Sequence, residues 1–152
     1  MELKIKNADQ IGIVVEDLDK FLKGMEDLLG LDDFEVIEYP PEGVNPGTTY
    51  HDEPADFSLR IAFRNFDKFQ MEVIQPVEGQ SIFKDHLAAK GPGLHHIRFT
   101  QPNFEEARDS LLSKGIRCIS SGLGAHGTSL WAYFDTSAQL EGLLVELRKL
   151  PS

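Results

Sequence analysis

The sequence predicts an α+β protein in which one unit of secondary structure, strand, helix and three strands, occurs twice. Three observations carry this: apolar runs of strand length, two amphipathic stretches at helical spacing, and a correspondence between the two halves. Residues 8–15 are a short apolar run. Leu18, Phe21, Leu22, Met25, Leu28 and Leu29 then recur at helical spacing until Gly30. Residues 34–39 form a second strand, closed by Pro40, Pro41 and Gly43. The polar stretch 42–56, with Pro46, Gly47 and Pro54, is long enough for a functional loop and is expected to be mobile. Residues 57–63 and 69–75 are strands of a hairpin, and 81–89 a connecting helix ending at Gly91 and Pro92. The pattern then restarts: strand 94–100, helix 104–114 ending at Gly115, strand 116–120, and a final pair at 130–134 and 143–147.

The repeat decides which residues are equivalent. Gln10-Ile11-Gly12-Ile13 matches His96-Ile97-Arg98-Phe99, each opening its unit; Gln70-Met71-Glu72-Val73-Ile74 matches Leu144-Val145-Glu146-Leu147-Arg148, each closing it. Modules at about 8–76 and 93–148 are therefore expected within one domain, 1–152. Side chains alternate faces along a strand. Ile11, Ile13 and Val15 thus face the helix, and Gln10, Gly12 and Val14 the opposite side. His95 groups with Ile97 and Phe99 and reads as a hydrogen-bonded core histidine, whereas His96 points away with Leu94 and Arg98. Glu72 and Glu146 fall on the same open face as Gln10 and His96. One amide oxygen, one imidazole and two carboxylates on the concave side of a curved sheet suit zinc, cobalt, nickel, manganese or magnesium. Carboxylates in apolar strands are costly unless compensated, and a divalent cation compensates them.

The net charge is −10 and the pI about 4.9, which disfavours nucleic acid and anionic membranes as partners. Cys118 is the sole cysteine, so no internal disulfide forms and a reduced, cytoplasmic setting is expected. Arg60, Arg64 and Arg98 lie in apolar stretches, where they either hold an anionic ligand or form surface ion pairs. Trp131 and Tyr133 share a face and either line a cleft or pack. His51, His86 and His126 read as solvated, and Gly122, Gly124 and Gly127 as a flexible turn.

The run Gly91-Pro92-Gly93-Leu94-His95-His96-Ile97 resembles the double-histidine motif of methylmalonyl-CoA epimerases and their relatives. Met71-Glu72-Val73-Ile74-Gln75-Pro76, Tyr133-Phe134-Asp135, Leu144-Val145-Glu146-Leu147 and Gln10-Ile11-Gly12-Ile13-Val14-Val15 resemble further strands of the same vicinal-oxygen-chelate superfamily. The resemblance implies paired βαβββ modules curled into a half-open mixed β-sheet barrel with outer helices, and often a homodimer. It implies a divalent metal on Gln10, Glu72, His96 and Glu146, and an isomerase or epimerase that removes a proton next to a carbonyl. By the same resemblance Glu146, Glu72 and Glu42 are the catalytic carboxylates, and Arg60, Arg98, Trp131 and Tyr133 candidate substrate contacts. Gln10 replaces a histidine found in many members; with one histidine at the matched positions a dioxygenase is disfavoured. The Gln, Glu, His, Glu set resembles that of glyoxalase I, so a lyase acting on a thiol hemiacetal is the alternative, and a metal-free drug-binding protein the third. A CoA thioester or glutathione adduct is the implied small-molecule partner.

Overall fold

The structure, a computed structural model, describes residues 3–151. Eight strands form one curled sheet, a half-barrel, in the order β2-β5-β6-β1-β7-β10-β9-β8. Its strands are β1 (Ala8–Val14), β2 (Glu35–Tyr39), β5 (Ser58–Asn65), β6 (Gln70–Glu78), β7 (Gly93–Thr100), β8 (Cys118–Leu123), β9 (Leu130–Phe134) and β10 (Leu144–Lys149). Each half has a parallel inner pair, β1 with β6 and β7 with β10, continued outward by antiparallel strands. The halves join where β1 and β7 run antiparallel. The expected correspondence is present in the register: Gln10 faces Gln70 and Gly12 faces Glu72, just as His96 faces Leu144 and Arg98 faces Glu146.

Helix α1 (Leu18–Leu29) starts where the Asp17 carboxylate accepts the Lys20 N–H at 3.1 Å, and stops at Gly30 in the left-handed conformation, φ 70°. That cap contributes about 1 kcal/mol. Leu18, Phe21 and Leu22 pack on Ile13, Val15, Ala62, Met71 and Val73, which is why alternate residues of β1 and β6 turn their apolar side to the helix. Helix α3 (Phe104–Ser113) repeats this on the second half, with Phe104 and Ala107 against Ala132, Phe134 and Leu147. Helix α2 (Ile82–Lys90) instead places Phe83 in the concave core with Phe57 and Tyr133.

The segment 42–56 is in part hydrogen-bonded to the sheet. It contains a small hairpin, β3 (Thr49–Tyr50) and β4 (Glu53–Pro54), and its backbone finds partners on β8: Leu123 N donates to Pro46 O at 2.9 Å and His51 N to Ile119 O at 2.9 Å. Ser120 Oγ donates to Thr49 O, and Thr48 Oγ1 to Ala55 O. These bonds satisfy a backbone that would otherwise need water, while Tyr39 at the end of β2 donates its hydroxyl to Leu123 O of β8. Edge strands of opposite halves are thus tied together at one end of the half-barrel.

Candidate metal centre

The join of β1 and β7 is the centre of the concave face, and Gly12 lies directly across it from His96. A Cβ at position 12 would fall 1.9 Å from His96 Cε1. Only a glycine leaves room for this ring, which lies over the Gly12 backbone and is fully buried. His96 Nε2 is 3.3 Å from Glu72 Oε1, 3.2 Å from Glu146 Oε1, 3.3 Å from Gln10 Oε1 and 3.4 Å from the Tyr133 hydroxyl. One ligand atom from each of Glu72, His96 and Glu146 lies within 4.8 Å of the others. Strand alternation therefore brings together all four residues expected from the sequence, two from each half.

The donor set fits a divalent cation on two grounds. A single imidazole N–H cannot serve four oxygens, and Glu72 Oε1 is buried without a hydrogen-bond partner. The Gln10 amide oxygen also faces an acceptor, Glu146 Oε1, beside His96 Nε2. Its nitrogen donates to Gln70 Oε1 at 2.7 Å, and Gln70 in turn donates to Asn65 Oδ1 at 3.0 Å, a relay that directs the Gln10 oxygen into the cluster. Turned over, the amide would donate to Glu146 and accept from Arg98 Nη1 at 2.9 Å, the arrangement suited to the cluster without a cation. Without a cation, burial disfavours the charged ring of His96, but the neighbouring carboxylates of Glu146 and Glu72 outweigh it and raise its pKa to about 9.

His95 departs from the strict alternation. Gly12 pairs with His96 and Ile13 with Leu94, so His95 is the extra residue of a β-bulge. The bulge turns its ring to the concave side, against Phe83, His86 and Tyr133, with Nδ1 2.9 Å from His96 Nδ1. It is a fully buried hydrogen-bonded histidine as expected, on the unexpected face. Burial, then the neighbouring His96 and His86, push its pKa well down, so it is neutral and can accept the proton on His96 Nδ1. His86 is half-buried against it rather than solvated.

The centre opens into a cavity of about 380 Å³. Trp131 and Tyr133 line it, with Tyr39, Ile74 and Phe83 completing an apolar wall, and Arg98 and Arg148 lie on the wall past Gln10 and Glu146. Arg60 does not reach it. Leu59, Ile61 and Phe63 take the inward positions of β5, so Arg60 faces α1 and pairs with Asp19 at 3.2 Å. Glu42 is exposed in the turn after Pro41 and is not among the residues that line the cavity. Arg64 stays at the rim, paired with Asp33 and stacked on Phe66. Gly122 is not in a loose turn but beneath Trp131 in β8, where a Cβ would fall 2.8 Å from the indole. Sequence reasoning missed Arg148, Asp9 and Gln70; their inward parity on β10 and β6 was readable, the bulge that admits Asp9 was not.

A family model described as the glyoxalase/bleomycin resistance protein/dioxygenase superfamily matches residues 9–134. The chain belongs to this superfamily. Among curated relatives, the mitochondrial methylmalonyl-CoA epimerase of Mus musculus is 28% identical over 149 residues, 96% of this chain and 74% of its own. The ethylmalonyl-CoA/methylmalonyl-CoA epimerase of Cereibacter sphaeroides is 31% identical over 103 residues, 65% of this chain and 75% of its own. Superfamily members of known structure share the fold. A Streptomyces coelicolor methylmalonyl-CoA epimerase variant in complex with 2-nitronate-propionyl-CoA superposes with a TM-score of 0.68 at 22% identity, covering 97% of this chain and 96% of that one. The Mycobacterium tuberculosis epimerase gives 0.65 at 20% identity, covering 100% and 93%. Among the described residues no helix is long and apolar enough to cross a membrane.

Proposed function

We propose that this protein is a divalent-cation-dependent isomerase of the methylmalonyl-CoA epimerase type, moving a proton on the carbon next to a thioester carbonyl. The observation that carries the reading is the convergence of Gln10, Glu72, His96 and Glu146 on one point, beside a cavity whose wall includes Tyr39, Ile74, Phe83, Trp131 and Tyr133. A bound divalent ion supplies Lewis-acid stabilisation of the negative charge that develops on a carbonyl oxygen. The remaining work falls to the chain. His96 and Gln10 hold the site, His95 keeping the ring oriented. Glu146 Oε1 and Glu72 Oε1 enter from the two halves, and a carboxylate at each side provides one group to remove the proton and one to return it. Because Glu42 lies outside the cavity, the second carboxylate in this reading is Glu72. Tyr133, Phe83 and Ile74 exclude water from the reacting carbon. Support also comes from the epimerase names of the curated relatives.

The test is exchange of the α-hydrogen of methylmalonyl-CoA in deuterated water, followed by mass spectrometry on protein loaded with zinc, cobalt, nickel, manganese or magnesium. Wild-type protein is expected to exchange it, and Glu146→Gln to lose about 10²–10⁴-fold in rate. A folded, cation-loaded protein that exchanges nothing refutes the assignment. The one-Gln, one-His, two-Glu donor set favours a second reading, a glyoxalase I-type lyase, which would form lactoylglutathione from methylglyoxal and glutathione. Absence of any bound cation after equilibration would leave the third expectation, a metal-free binding protein.

A further inference from the structure

We propose that Arg98, backed by Arg148, is an acid-recognition subsite that binds a free carboxylate on the acyl group, so that the centre selects 2-carboxyacyl thioesters over simple acyl thioesters. The proposal rests on the isomerase reading above, whose substrate already carries such a carboxylate, and assigns the residue that recognises it. Arg98 stands opposite Gln10 on one side and Glu146 on the other, and is therefore the inward-facing neighbour of two candidate ligands. It is 8% exposed and lines the cavity. Among the described residues its guanidinium makes one ordinary hydrogen bond, from Nε to Asp9 Oδ1 at 2.9 Å. Nη1 and Nη2 have no acceptor while the Gln10 oxygen points into the cluster; Nη1 then lies 2.9 Å from the amide nitrogen of Gln10, donor against donor. With the Gln10 oxygen on the cation, the nearly buried guanidinium is left with two unused nitrogens, which call for a bidentate acceptor, and a carboxylate is the acceptor with matching geometry.

Asp9 cannot be that acceptor, because both its oxygens are committed: Oδ1 to Arg98, and Oδ2 to the Thr100 hydroxyl at 2.6 Å and to Arg148 Nη2 at 3.4 Å. Arg148 Nε donates to Thr100 Oγ1 at 3.0 Å, which fixes the second cation beside the first. The charges point the same way. Glu72, Glu146 and Asp9 carry three negative charges; Arg98, Arg148 and a divalent ion carry four positive ones. With His96 neutral as a ligand, the loaded site is left one positive charge in excess, which an acyl carboxylate would neutralise. CoA phosphates offer similar chemistry, but with the thioester at the centre they lie a full pantetheine chain away from Arg98. The two orientations of the Gln10 amide add a coupling: with its oxygen on the cation Arg98 is free, and with its oxygen turned to Arg98 that nitrogen is occupied.

The experiment is equilibrium titration calorimetry on the full chain with methylmalonyl-CoA, propionyl-CoA and CoA, with and without zinc, for wild type, Arg98→Met and Arg98→Lys. Loaded wild type is expected to prefer methylmalonyl-CoA over propionyl-CoA by about tenfold or more, the discrimination one charge-assisted pair provides. Arg98→Met is expected to bring the ratio near one with propionyl-CoA and CoA affinities unchanged, and removing zinc from wild type to shrink the ratio. Arg98→Lys, which keeps the charge and can reach Asp9 but lacks the fork, is expected to fall between and covers the case in which Arg98→Met does not fold. A preference that survives in both variants overturns the proposal, as does its absence in loaded wild type. Equal weakening of all three ligands overturns it in favour of a phosphate contact. Intact α-hydrogen exchange alongside such results leaves the isomerase reading standing, whereas loss of zinc binding and exchange in wild type refutes that reading itself.

Discussion

Replacing Gly12 by alanine is expected to damage the metal centre far more than the fold. Gly12 does not need the left-handed conformation, so alanine is allowed by its backbone and the cost is steric alone. The added methyl would sit 1.9 Å from His96 Cε1 and 2.3 Å from both ring nitrogens, where ordinary contact starts at 3.4 Å. The ring must therefore retreat by about 1.5 Å, the difference between 3.4 and 1.9 Å. Metal–nitrogen distances tolerate only about 0.2 Å. His95, Tyr133 and both glutamates surround the ring, so the retreat also overpacks the core, at about 1–3 kcal/mol. Calorimetric titration with zinc should show a loss on the order of 100-fold in affinity, with a lowered but cooperative thermal transition. Gly24→Ala in α1 is the matched control: nothing lies within 4 Å of its would-be Cβ, and it should raise stability by roughly 0.5–1 kcal/mol without touching zinc affinity. If Gly12→Ala bound zinc as tightly as wild type, His96 would not be a ligand and the centre as described would be wrong.

Other consequences can be checked separately. Tyr39 is buried and its pKa is raised to about 12, first by burial and then by the Glu72 charge, against the lowering effect of Trp131. The neutral hydroxyl is the favoured form, so its contribution is complete below pH about 10 and is lost as pH rises through about 12, on the order of 2 kcal/mol. Tyr39→Phe should make alkaline denaturation between those values shallower; an unchanged slope would contradict this. Asp17→Ala removes the cap of α1 and should cost about 1 kcal/mol in urea unfolding with zinc affinity retained. Saturating zinc should raise the melting temperature of wild type, by about 2.7 kcal/mol of stability at 100 times Kd, and a chelator should reverse it; a transition indifferent to both would argue against the Glu72, His96 and Glu146 cluster as a metal centre.

The repeat was legible because strand and helix periods differ, 2 against 3.6, and because both copies keep polar residues at the same steps. From that alone the face of Gln10, Glu72, His96 and Glu146 followed, and the observed register agrees residue by residue. Periodicity fails where the chain gains a residue against its partner. The bulges at His95 and Asp9 each break alternation by one step, and they bring His95 under His96 and Asp9 onto Arg98. Nor does periodicity see contacts between segments distant in the chain. The polar loop 42–56 looks solvent-bound by composition, yet part of its backbone is paired on β8. Arg60 and Arg98 are equivalent by composition, each a cation in an apolar strand; strand parity sends one to α1 and the other to the cavity. Local pattern determined the elements and their inward residues, since it depends on neighbours in the chain. The number of free donors on Arg98, the room over Gly12 and the orientation of the Gln10 amide were decided by packing across strands, which no single stretch of sequence encodes.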